Sequence, residues 1–158
     1  MIATWTMARD GLVKGMKILR QKGSCEEALI QAIKDVEEEN FDSAITKAKT
    51  LLEEVFKYVL ENRGIEQSKS ISMSELYKKV REEYGIKTGN EADIRINKLI
   101  SGLNTIVDAV VEMRNIASDS HGLGSKRISV ENHHALLIVN AACIVADFIL
   151  AVANKKNL

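Results

Sequence analysis

Proline is missing altogether from this 158-residue chain, and aromatic residues make up only 4% of it. Proline punctuates turn-rich β structure and breaks helix interiors, so its absence favours long continuous helices over a sandwich or barrel. Cysteine is scarce as well. Cys25 and Cys143 lie far apart and form no CxxC pair, which excludes a zinc ribbon or disulfide scaffold and fits a reducing compartment. Both read as small buried residues. Neither sign of charge prevails, with 22 Lys plus Arg against 22 Asp plus Glu, so the global footprint of a nucleic-acid coat or polybasic membrane binder is missing and any nucleic-acid contact must be local. The N-terminus lacks the basic start, sustained apolar stretch and small-residue cleavage site of a secretory signal. No unbroken apolar run of membrane length stands out either. The expectation is a soluble, cytoplasmic protein with no membrane partner.

What is present is enough apolar material, 46% of residues, for a single packed core in a chain of this length. The pattern predicts a helix over 6–22, weakened by Gly11 and Gly15, and a second over 25–38 with Ser24 as N-cap and Glu27 in the capping-box position. Asp42 caps a third, which runs to about residue 63 and stops at Gly64. Its apolar positions Ala44, Ile45, Ala48, Leu51, Leu52, Val55, Phe56, Val59 and Leu60 have the three-and-four spacing of a strong amphipathic helix. A polar loop over 65–71 leads to a second capping box, Ser72 and Glu75, opening a short helix through Tyr84. The longest helix starts near Asn90 and ends around 118–121, its stripe made of Ile96, Leu99, Ile100, Leu103, Ile106, Val107, Val110 and Met113. After a basic, glycine-containing turn over 122–127, Ser129 is the N-cap candidate for a last helix reaching about Asn154. That helix is apolar nearly all round, so it is either central or covered by a second chain.

One segment departs from this pattern: Arg114-Asn115-Ile116-Ala117-Ser118-Asp119-Ser120-His121-Gly122. Arg114 stands four residues after Val110, which puts a cation at the end of an apolar stripe, where it demands partners. His121 follows seven residues on, about 20° round and about 10.5 Å along an ideal helix, so both face one side without touching. An imidazole that titrates near neutrality beside a guanidinium that grips two phosphate oxygens suits acid–base transfer at an anion, phosphodiester cleavage among such reactions. The same residues also suit a structural role, with Arg114 paired to Glu112 or Asp119 and His121 favoured at a helix C-terminus.

Arg114-Asn115 followed by His121 resembles the Arg-x(4–6)-His motif of HEPN-superfamily helical domains. Together with Asp-x-His-Gly and Val139-Asn140-Ala141-Ala142, the stretch from Met113 to Ala142 is similar to the C-terminal domain of abortive-infection phage-resistance proteins, a branch of that superfamily. Residues 44–53 are similar to its second helix. The resemblance covers 41–154 and leaves the helices of 1–40 unassigned. It implies an all-α HEPN-like bundle associating as a two-fold dimer. In catalytic members it further implies a metal-independent ribonuclease needing no cofactor, with a site built from both copies of the motif. Carried over, His121 transfers protons, Arg114 clamps the phosphate, Asn115 orients the site and Asp119 supports it. Other members are inactive dimerisation or sensing modules. Toxins of this superfamily that a partner nucleotidyltransferase neutralises have a tyrosine two positions after the histidine, where this chain has Leu123. Leu123 departs from that mode of control; the second departure is that no fused effector or sensor domain accompanies the module, so any regulator is expected to be a separate antitoxin or phage-sensing protein, or the N-terminal helices themselves.

Three further features carry weaker signals. Lys126 and Arg127, in a loop without P-loop spacing, are candidates for touching an RNA backbone. Lys78, Lys79 and Arg81 beside Tyr77 and Tyr84 are a candidate single-strand surface, or else a solvated helix face. His133-His134 has no further ligand at metal spacing and reads as the polar first turn of the last helix rather than a metal site.

Overall fold

A computed structural model describes the backbone of residues 24–119 and 129–156, and the side chains of 30–115 and 129–155. Five helices account for its regular structure: α1 (Ser24–Glu37), α2 (Phe41–Glu61), α3 (Met73–Tyr84), α4 (Ile94–Asp119) and α5 (Asn132–Lys156). No strand occurs among the described residues, as expected for an all-α bundle. The expected helix over 6–22 lies outside them.

The middle of the bundle is α2, which packs against each of the other four helices. Its nine predicted apolar positions are all buried, Ala44, Ile45, Leu52, Val55, Phe56, Val59 and Leu60 completely. The α2 start differs from expectation. Asn40 holds the N-cap position without a side-chain cap, and Asp42 sits inside the first turn, where its charge complements the helix dipole. Gly64 closes the other end with φ +71°, a left-handed conformation that lets Gly64 and Ile65 donate back to the carbonyls of Glu61 and Leu60. Ser72 and Glu75 form the predicted capping box, the Ser72 hydroxyl accepting from the Glu75 N–H and the Glu75 carboxylate from the Ser72 N–H.

A buried polar clamp joins α1 to α2. Asp35, only 3% exposed, accepts hydrogen bonds from Ser43 Oγ (2.6 Å), Gln31 Nε2 (3.3 Å) and the Lys47 ammonium. Burial by itself pushes this carboxyl up. The bonds from Lys47, Ser43 and Gln31, with the Lys47 charge, more than offset that and leave its pKa below the ordinary value.

The start of α4 lies four residues later than the sequence pattern indicates. Asp93 accepts from the backbone and side chain of Arg95, which hold its carboxyl down at about 2. Asn97 bonds both polar backbone groups of Gly89 and the Ala92 carbonyl, winding residues 89–93 into turns instead of helix. The long apolar stripe of α4 is also split. Ile100, Leu103, Val107 and Val110 are buried, Ile106 and Met113 half-buried, whereas Ile96 and Leu99 are 52% and 67% exposed. Apolar residues occupy more than one flank of this helix, and the bundle covers just one of them.

Helix α5 begins at Asn132, with Glu131 rather than Ser129 in the capping position. The Glu131 N–H donates to Nδ1 of His134, a reciprocal contact at the third helical position. Within Asn132–Lys155 an 18-residue window has a mean hydropathy of 2.5, so this helix, apolar nearly all round as its sequence indicates, is by length and composition alone able to cross a membrane. Half of that window is instead buried in the bundle, and the buried residues of the helix are Ala135, Val139, Ala142, Cys143, Val145, Ala146, Ile149, Leu150 and Ala153. Small side chains at Ala135, Ala142, Ala146 and Ala153 allow close approach of neighbouring helices. The opposite side leaves Leu137 and Ile144 more than 60% exposed.

Candidate functional site

Arg114 continues the buried stripe of α4 by one turn beyond Val110, where the core gives way to solvent. It is half-buried and has no ion-pair partner among the described residues; Glu112, an alternative partner from sequence, points away into solvent. A half-buried guanidinium without a carboxylate is suited to receive an external anion in two-point geometry. Asn115 follows it, exposed and engaged in an interaction of its own. Asp119 is the last described residue of α4, and its side chain is outside the described set. His121, Lys126 and Arg127 lie outside the described residues altogether, so the structure describes the side chains of Arg114 and Asn115 alone among the six candidates.

Across the bundle, the Val139-Asn140-Ala141-Ala142 run divides by burial. Val139 and Ala142 are core residues, and Asn140 and Ala141 lie half-buried at the edge. His133 and His134 occupy the first turn of α5, their rings in tilted contact at 4.0 Å, with His133 Nδ1 3.4 Å from Glu131. The Cys143 thiol is free and buried, its pKa pushed up to about 12 by burial and by the Asp147 charge. Such a thiol is inert as a nucleophile at neutral pH.

The tyrosines of α3 are not the outward stacking platforms that the sequence offered. Tyr77 and Tyr84 are 4% and 3% exposed. Tyr84 donates its hydroxyl to the Val59 carbonyl at 2.7 Å, and Tyr77 stacks on Phe56 with ring centroids 5.1 Å apart while donating to Asn104 Oδ1 at 2.9 Å. Positions 73, 76, 77, 80 and 84 have core-facing spacing, which overrides the basic residues between them. Lys78 and Lys79 line a shallow cleft shared with Glu75 and Glu82, and Lys79 bonds Gln67, so carboxylates balance their charge. Arg81 alone of this run lies over an aromatic ring, 5.2 Å from the Tyr77 centroid. Sequence reasoning missed Asn104, although its polar side chain interrupts the apolar stripe next to Leu103.

The five helices form an all-α helical module, with Arg114-Asn115 one turn beyond the buried stripe of its longest helix. A family model described as Abi_C, HEPN-like domain, matches residues 24–153, and the chain belongs to that abortive-infection family. The match takes in α1, which packs on α2 and α5 and lies upstream of the 41–154 segment marked by sequence resemblance. Neither a curated protein nor a solved structure matches the chain significantly.

Proposed function

We propose that this abortive-infection module is a metal-independent endoribonuclease of the cytoplasm, active as a homodimer. The observation that carries the reading is Arg114: a guanidinium at the end of a buried stripe, half-desolvated and without a carboxylate partner among the described residues. In the proposed reaction the 2′-hydroxyl oxygen attacks the adjacent phosphorus, the P–O5′ bond breaks, and a 2′,3′-cyclic phosphate and a 5′-hydroxyl result. One proton leaves the 2′-oxygen and one reaches the 5′-oxygen. His121 serves these transfers, and two copies of the motif in one dimer supply a histidine for each. Arg114 stabilises the charge that develops on the phosphorane. Asn115 orients the site, Asp119 supports it, and Lys126 and Arg127 hold the RNA backbone. Control falls to a separate antitoxin or phage-sensing partner.

Cleavage of single-stranded RNA in EDTA tests this proposal. Wild type is expected to cut, His121→Ala to be slower by about 10²–10⁴-fold, and Arg114→Lys to be impaired because an ammonium lacks the planar two-point grip. Equal cleavage by wild type and His121→Ala would overturn it. A second reading, a non-catalytic dimerisation module, draws on the exposed Leu137 and Ile144 of α5. It gains the ground if the protein dimerises and binds RNA but cuts none.

A further inference from the structure

Arg81 has no use in the proposed cleavage chemistry, yet it is held in an unusual way. Its side chain is half-buried on α3 and its guanidinium lies over the ring of Tyr77, 5.2 Å from the centroid. That ring is fixed from both sides, by the Phe56 stack in the core and by its hydroxyl bond to Asn104 on α4. Nε of Arg81 is shut away from water and has no hydrogen-bond acceptor. No carboxylate among the described residues forms an ion pair with the guanidinium. Asp108, on the neighbouring helix and near enough to influence Tyr77, stays outside ion-pair range of Arg81. A buried donor left unmet in a folded protein calls for an explanation, because most such groups are paired.

The Tyr77 ring beneath the guanidinium is what faces the inward Nε in place of an oxygen acceptor, and it leaves the outer nitrogens unengaged. With Nε turned inward and the stem committed to Tyr77, the terminal nitrogens remain as the outward donors. Asn104 uses its carbonyl oxygen to accept from Tyr77, and its amide nitrogen makes no hydrogen bond within the described structure. Donors from two helices, with a fixed cation and no acceptor for them among the described residues, match the oxygens of a phosphodiester. We propose that Arg81, seated on Tyr77 and flanked by Asn104, is a second phosphate-binding position for single-stranded RNA, separate from Arg114. This rests on the reading that the module handles RNA, and it assigns Arg81 to holding the strand, not to the chemistry. A phosphate contact of this kind carries no base preference and contributes to the salt dependence of binding.

The test uses a fluorescein-labelled, non-cleavable single-stranded 2′-O-methyl oligoribonucleotide and the full chain, with affinity followed by anisotropy across a salt series. Arg81→Met keeps an apolar stem on Tyr77. It is expected to weaken binding several-fold and to reduce the slope of log affinity against log salt by about 0.7, the loss of one phosphate contact on a single strand. Arg81→Lys retains the charge and is expected to keep the slope while losing part of the affinity, a split that a merely structural arginine would not produce. If Arg81→Met leaves affinity and slope unchanged while Arg114→Met lowers both, the Arg81 proposal is overturned and the RNA-site reading stands. If Arg81→Met weakens binding although wild type cuts no RNA, Arg81 holds its role and the nuclease reading fails. A wild-type protein that binds no oligonucleotide overturns both. Should Arg81→Met not fold, the affinity and slope of Arg81→Lys decide the matter, and wild-type values for both overturn the proposal.

Discussion

Replacing Lys47 by methionine isolates the polar clamp between α1 and α2, because the stem is kept and only the ammonium is removed. Asp35 retains 5% of its side-chain exposure and Lys47 28%. Removing one partner of a fully buried pair costs about 3–5 kcal/mol, since an uncompensated charge stays behind. Here Ser43 and Gln31 continue to bond the carboxylate, and Lys47 is partly solvated already. The expected loss is therefore about 2–3 kcal/mol at pH 7, close to that of one hydrogen bond to a charged group. Urea unfolding followed by circular dichroism measures it. The pH dependence has a defined sign. The Asp35 pKa is lowered from its ordinary 3.8 in the folded protein, so its stabilisation is present above about pH 4 and is lost as pH falls through the folded value. Without Lys47, its hydrogen bond and its charge no longer hold the carboxyl down, and the carboxyl takes up a proton more readily. The gap between wild type and Lys47→Met should consequently narrow as pH falls through the carboxylate range. The double variant Asp35→Leu/Lys47→Met should recover much of the loss. A Lys47→Met cost below about 0.5 kcal/mol, the usual range of a surface substitution, or a gap that stays constant with pH, would refute this account of the clamp.

The facing of α4 predicts that Leu103→Ala costs about 2–5 kcal/mol in a denaturation curve, whereas Leu99→Ala, at an exposed position, stays within about 0.5 kcal/mol. Ser72→Ala should lose about 1 kcal/mol of stability through its cap, and Gly64→Ala about 1–2 kcal/mol through its left-handed backbone with no clash added; thermal unfolding reads both. If the outer side of α5 lies in the dimer, Leu137→Lys with Ile144→Lys should shift the protein to monomer in light scattering while the bundle stays folded.

Local chemistry explains which parts of the fold were legible in the sequence. The Ser72–Glu75 box and Gly64 are short-range signals whose bonds close within a few residues, and both appear in the structure where the pattern puts them. The face of α2 was equally plain because one continuous stripe admits one orientation. The start of α4 was not, since Asn90 and Asp93 are both capable caps and the choice depends on Asn97 reaching back to Gly89. Nothing in the local sequence marks Asp35 for burial; its carboxylate is met by Lys47, twelve positions away and on another helix. For α3, the basic residues drew attention outward while the spacing of Tyr77 and Tyr84 pointed in. At the candidate site the sequence supplied Arg114 and Asn115 as neighbours. That Arg114 does not pair with Glu112 follows from helix spacing, since residues two apart face different sides, whereas its half-burial at the edge of the core is set by the packing of the bundle.

Mass-spectrometric identification of the RNA ends left after incubation in EDTA tests the central claim most directly. Attack by the neighbouring 2′-oxygen predicts a 2′,3′-cyclic phosphate facing a 5′-hydroxyl, with no cut where that nucleotide is 2′-deoxy and a large loss of product with folded His121→Ala. A 3′-hydroxyl facing a 5′-phosphate, or the same products in the same yield from His121→Ala, would contradict it.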